Sequence, residues 1–449
     1  MSEKKADRRD FLKYLGAGVA GLAVGGAAGY LAMPPKIEKV PVKPEPKKVP
    51  TTPIKIGHLD SLTGAAAFWG EPQAKGTRLV VDELNAAGGI MGRKLELVVR
   101  DDEGKAATAV EMVKKLIVED KCDLVTGCCS SGIALAMAPI VEDLGKTYGV
   151  PFVAVDGCTW SLHKEKVFKY YLRWCAPNVW EAVAAAYLTN RYWPKAKRIA
   201  HISPDYSYGR DGWAAYMEVL KAFQDIEVVY EGWPPLYIKD YTPHITACLA
   251  AKPDVVWSTL WGGDLMTFTT QAAGYGFFKA TQFISAVGGD TYLHMKKEEV
   301  PEGILAGPHN YYFLYPPWDK WPLNKWFNEK YWARYKEPPH SGSCGAYWVI
   351  HAYKAAVEKA CAIKGEWAEK EEILAAMKGI GLDEPAGRRF LRAEDGQAVS
   401  YALYGFTKSA PTYPFPILDR MEIIGPEECG PPAGPLDAVK WIRDWAKRK

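Results

Sequence analysis

From about residue 54 onward, two periodicities alternate along this chain. Short runs rich in Ile, Val and Leu, at Ile54-Lys55-Ile56-Gly57, Leu95–Val99, Asp123–Thr126 and Pro151–Val155, predict strands. Between them, Gly76–Ala86, Ala106–Glu119 and Gly132–Tyr148 place apolar residues at helical spacing and predict helices. The rhythm restarts at Arg198–Ile202 and continues through Val228–Tyr230, Val255–Trp257 and Gln282–Ile284. Strands separated by helices of such length need crossover connections, which gives parallel sheets covered on both faces. The expected fold class is therefore α/β, with two doubly wound parallel-sheet lobes. In such sheets a ligand sits outside the carboxyl ends of the strands, where helix N-termini offer free N–H groups.

The first 53 residues follow neither pattern. Arg8-Arg9-Asp10-Phe11-Leu12-Lys13 precedes an uncharged, glycine-rich stretch, Tyr14 to Met33, and resembles a twin-arginine export signal. That stretch is also just long enough to span a bilayer, so 1–33 reads as a signal or a membrane anchor. Residues 34–53 alternate Pro, Lys, Val and Glu, cannot pack a core, and predict an extended tether.

Particular residues carry a family resemblance. Leu62-Thr63-Gly64, Phe68-Trp69-Gly70-Glu71 and above all Asn85 to Leu95 (Asn-Ala-Ala-Gly-Gly-Ile-Met-Gly-Arg-Lys-Leu) resemble the opening segment of the periplasmic leucine/isoleucine/valine-type binding proteins, which have the type I bilobal fold. The likeness continues through Gly127-Cys128-Cys129-Ser130-Ser131, Gly157-Cys158-Thr159, Asp205 to Gly209 and Gly387-Arg388-Arg389-Phe390. It implies a flytrap with a three-stranded hinge, one lobe formed by 54–174 and 307–398, the other by 175–306 and 399–449. It also implies an exported solute-binding protein of an ABC importer, monomeric, with membrane permease subunits as partners and no cofactor. A free-standing sensor subunit of a receptor is the alternative.

By the same resemblance, Ser130 and Ser131 at a helix start, with Gly157 and Thr159 after the next strand, hold an acidic group of the solute. The chemistry agrees, because a carboxylate needs several donors and hydroxyls beside a helix N-terminus supply them. Trp69 and Tyr208 match the family's two aromatic walls. One departure stands out. Where amino-acid binders place a carboxylate for the ligand's ammonium group, this chain has Val287, leaving Asp264 and Asp290 as candidates for that charge. If neither reaches the cleft, the solute is an organic acid, an amide or a urea-like compound, since an unpaired buried ammonium is costly.

Nine cysteines show no Cys-x-x-Cys spacing, and no metal site is expected. Cys128 and Cys129 fall where the family carries half of a disulfide, but its usual partner in Arg100–Lys105 is missing, which leaves Cys158 as the partner for one of them. No Gly-x-Ser-x-Gly elbow, Gly-x-x-x-x-Gly-Lys loop or His-Glu-x-x-His motif is present, so an α/β hydrolase-like enzyme is disfavoured and no catalytic residue is assigned. With 48% hydrophobic and 24% charged residues the chain is globular, and a net charge of +3 without a basic stripe argues against nucleic acid.

Overall fold

A computed structural model describes residues 48–314, 321–435 and 437–446. The twin-arginine segment and most of the tether lie outside the described residues. The last tether residues are clamped, because Arg93 donates from Nε to the Thr52 carbonyl at 2.7 Å and from Nη2 to that of Pro53 at 3.2 Å.

The first sheet is built from β1 (Ile54–Asp60), β2 (Leu95–Asp101), β3 (Leu124–Gly127), β4 (Phe152–Ala154) and β5 (Tyr171–Arg173) in the order β2-β1-β3-β4-β5, every pair parallel. The crossovers carry α1 (Ala67–Ala86), α2 (Ala106–Lys114) and α3 (Ser131–Tyr148). All four residues of β3 are buried, as a central strand covered on both faces requires, whereas most of the edge strand β2 is partly exposed.

The second sheet takes β6 (Arg198–Ile202), β7 (Glu227–Gly232), β8 (Val255–Ser258), β9 (Gln282–Ser285) and β10 (Leu305–Ala306) as parallel strands. Its main helices are α4 (Asn178–Tyr192), α5 (Ser207–Phe223), α6 (Thr242–Ala250) and α7 (Gly262–Gly274). The chain then returns to the first sheet through α8 (Pro322–Tyr335), α9 (Ser341–Lys364) and α10 (Lys370–Met377), and α9 packs along α1. An antiparallel ribbon follows, β11 (Gly381–Glu384), β12 (Gly387–Leu391) and β13 (Ala398–Val399). Finally β14 (Ala402–Lys408) adds to the second sheet antiparallel to β10 and β15 (Ile417–Ile424) antiparallel to β14, giving the order β15-β14-β10-β9-β8-β6-β7, and α11 (Ala438–Ala446) packs on α5. Of the parallel strands, all but β5 and β10, which are three and two residues long, are predicted by the apolar pattern. The antiparallel additions are not, because they lack the intervening helices on which that pattern rests.

The chain enters α4 and the second sheet near Cys175, leaves β10 near Gly307 for the helices packed along α1, and rejoins the second sheet at β14 after Ser400. These passages are laced together. Gln397 donates from Nε2 to the Cys175 carbonyl at 2.6 Å and accepts from Arg173 Nε at 2.6 Å, while Ala176 N donates to Asn310 Oδ1 at 3.2 Å.

Candidate functional site

A small cavity lies between the lobes. Each residue lining it follows the carboxyl end of a strand: Trp69 after β1, Cys129 and Ser131 after β3, Asp156 and Cys158 after β4, Tyr206 and Tyr208 after β6, Trp261 after β8, Val287 after β9, and His309 after β10. This is the crevice that doubly wound sheets reserve for ligands.

Aromatic rings form the walls. Trp69 is 3% exposed and meets Trp261 edge-on at 6.3 Å between centroids, His309 at 6.1 Å and His340 at 5.3 Å, so its indole joins the two lobes. Its Nε1 donates to Asp156 Oδ2. Tyr208 donates its hydroxyl to Glu181 Oε2 at 2.8 Å.

Behind the aromatic wall, ionisable groups crowd together. Asp156, Cys158, Cys175 and His309 are all buried and offer ligand atoms within 4.8 Å of one another. Cys158 Sγ lies 2.6 Å from His309 Nε2, 2.7 Å from Asp156 Oδ1 and 3.0 Å from Cys175 Sγ, and His309 Nε2 lies 3.1 Å from Asp156 Oδ1. On the other side of the ring, Nδ1 meets Glu181 Oε1. Burial alone would keep His309 neutral, but the carboxylates of Glu181 and Asp156 outweigh it and push its pKa well up. Burial pushes the Cys158 thiol up, whereas at Cys175 the hydrogen bonds from Cys158 and His309 overcome burial and hold the thiol below its ordinary value.

The expected site residues divide. Trp69, Ser131 and Tyr208 line the cavity. Ser130, Gly157, Thr159, Asp264 and Asp290 do not. Ser130 is the residue before α3, yet its side chain makes no capping bond. Gly157 stands there for steric reasons, with φ +78° and a virtual Cβ only 2.8 Å from the Ala134 methyl. Thr159 gives its hydroxyl to Asp211 at 2.5 Å, and its backbone N–H goes to Ser131 Oγ at 3.2 Å, so the expected donor pair is partly spent inside the protein. Neither candidate carboxylate is free. Asp264 takes the N–H of Tyr237 at 2.9 and 3.0 Å, and Asp290 takes those of His309 and Ser341 at 2.7 and 3.0 Å plus the Ser341 hydroxyl at 2.8 Å. Burial raises the pKa of Asp290 to about 6.

The cysteine pairing differs too. All nine cysteines are free, and Cys158 approaches Cys175 rather than Cys128 or Cys129. Sequence reasoning missed Asp156, Trp261 and His309 as cavity residues. Position directly after a strand end was the available signal for Asp156 and Trp261; His309 had none, since β10 is two residues long.

Comparison with known proteins places these features in context. A model of the family described as periplasmic binding protein matches residues 53–406. The Leu/Ile/Val-binding protein BraC3 of Rhizobium johnstonii is 30% identical over 205 residues, which cover 45% of this chain and 53% of that protein, so the alignment spans about half the relative's length. The Leu/Ile/Val-binding protein homolog 7 of Brucella abortus is 27% identical over 370 residues, covering 79% and 84%. Among solved structures, a solute-binding protein of an ABC transporter from Rhodopseudomonas palustris, in complex with 3,4-dihydroxybenzoic acid, superposes with a TM-score of 0.72 at 22% identity, covering 83% of this chain and 98% of that one.

Proposed function

Because the chain belongs to the periplasmic binding protein family, we propose that it is the solute-capturing subunit of an ABC importer, closing its two lobes over one small organic molecule and offering the closed form to a membrane permease. It works outside the cytoplasm, as that family does. The observation that carries the reading is the cavity at the carboxyl ends of both sheets, walled by Trp69, Tyr206, Tyr208 and Trp261, rings suited to a flat or apolar body. Closure then shifts a population between open and closed forms, with the binding free energy as the bias.

The polar end of the solute is best read as an amide, a urea or an amine. Asp156 faces the same cavity as Ser131, so N–H groups of a solute find an acceptor there beside the serine hydroxyl. A free α-amino acid, the solute for which the curated relatives are named, would set either its ammonium or its carboxylate against Val287. Thermal denaturation against paired amides, amines and acids of the same carbon skeleton tests this. A matching solute at 100 times its dissociation constant stabilises by about 2.7 kcal/mol, and Ser131→Ala should weaken its binding by about 1–3 kcal/mol. Stronger stabilisation by the acid member of a pair would overturn the assignment of the polar end.

A further inference from the structure

Two buried carboxylates, an imidazole and two thiols converge at the rear of the cavity, and solute capture uses at most the front of that group. Their chemistry asks for a cation. Asp156 Oδ1 and Glu181 Oε1 contact opposite nitrogens of the His309 ring, and all three groups are buried. Arg173 spends Nη1 on the carbonyls of Gly157 and Thr159, at 3.1 and 2.8 Å, and Nε on Gln397.

We propose that Cys158 Sγ, Cys175 Sγ, His309 Nε2 and Asp156 Oδ1 hold one divalent, thiophilic metal ion of the zinc class. Two sulfurs, one imidazole nitrogen and one carboxylate oxygen form a four-donor set suited to tetrahedral zinc, whereas calcium and magnesium require oxygen alone. Bonds of about 2.0–2.3 Å place tetrahedral donors about 3.3–3.8 Å apart. Three of the contacts here, 2.6, 2.7 and 3.0 Å, radiate from Cys158 Sγ, all four ligand atoms lie within 4.8 Å of one another, and an ion between them requires the Cys158 sulfur to draw back by about an ångström. The outer partners are in place as well. Glu181 on His309 Nδ1 fixes the tautomer that turns Nε2 toward the thiols, Tyr208 holds Glu181, and the Trp69 indole holds the second oxygen of Asp156.

The four donors come from three segments: Asp156 and Cys158 from the turn after β4, Cys175 from the stretch after β5 and His309 from the stretch after β10. No short sequence motif announces them, and the ion sits where the lobes pivot. Entry of the ion releases the two thiol protons and the Nε2 proton of His309 to solvent, so binding strengthens as pH rises.

The test uses the full chain, purified and kept in a non-chelating reductant, loaded with zinc, passed through a weak chelator and assayed for metal content and for competition with a chromogenic chelator. One zinc per chain is expected, and cobalt in its place should give thiolate-to-metal absorption. Cys158→Ser, Cys175→Ala and His309→Gln should each weaken zinc by more than the roughly 10–100-fold expected for the outer variant Glu181→Gln. Cys122→Ala, far from the cluster, should retain it. Circular dichroism on the same samples separates loss of metal from loss of fold, and cobalt absorption of the wild type decides the matter should a ligand variant not fold. A folded wild type without zinc, zinc retained by Cys175→Ala, or a Cys158–Cys175 disulfide that persists in the reductant would each overturn the proposal. It does not rest on the solute assignment, because metal is counted without any solute present.

Discussion

His201 lies on β6 between the rings of Trp213 and Trp233, with centroids 4.3 and 4.1 Å away, and neither ring nitrogen has a hydrogen-bond partner among the described residues. Burial, assisted by the Arg210 guanidinium, lowers its pKa from 6.5 to about 3. The proton is therefore bound more tightly by the unfolded chain. The stability this imidazole confers is complete above pH 6.5 and is lost as pH falls from there toward 3. At pH 5.5 the loss from this residue is about 1.4 kcal/mol. Urea unfolding of His201→Phe beside the wild type should show a stability difference that moves in favour of the variant by about that amount between pH 7 and 5.5; a constant difference would refute the account. At the same scale, legibility in the sequence followed position. Trp69, Ser131 and Tyr208 could be found because each follows a predicted strand end within a recognisable segment. Thr159 could be placed near the site, but not its bond to Asp211, which depends on a residue 52 positions away.

Elements were legible wherever packing repeats along the chain. The central strands read as unbroken apolar runs because both of their faces are covered, while β14 and β15 gave no such signal. What fixes the docking of one element on another is local and steric. Gly145 on α3 faces Tyr170, the residue before β5, so closely that a virtual Cβ would stand 2.1 Å from the ring's Cγ. Tyr170 in turn is held at its hydroxyl by Glu371 of α10 and cannot swing away without breaking that bond. Gly145→Ala should accordingly push the helix off the sheet and cost about 1–3 kcal/mol, read as a lower urea midpoint with an unchanged slope. A wild-type midpoint would mean that Tyr170 yields freely. No periodicity analysis could have singled out this glycine among the others, since the constraint comes from a ring 25 residues further on.

At the scale of the whole molecule, the two-lobed arrangement was legible because the strand-helix rhythm starts twice, and the three passages between lobes follow from the resemblance rather than from the pattern. The export segment belongs to this scale too. We propose the twin-arginine route for it, and Arg8→Lys with Arg9→Lys should leave the protein in the cytoplasmic fraction; unchanged appearance outside the membrane would replace that route with a general secretion signal. Among the described residues no helix is long and apolar enough to cross a membrane.

The order of strands in the second sheet has a consequence in time. During synthesis from the N-terminus, all five strands of the first sheet have been made once Arg173 has emerged, but β10 waits for β14, a partner about 100 residues later in the chain. Until β14 arrives, β10 is an open sheet edge able to pair with another nascent chain. Loop closure over such a span is slow compared with helix formation. The first lobe's sheet can thus form while the chain is still growing, whereas the second becomes safe from mispairing only once β14 has been made. Any chaperone that attends this protein has its longest task at β10.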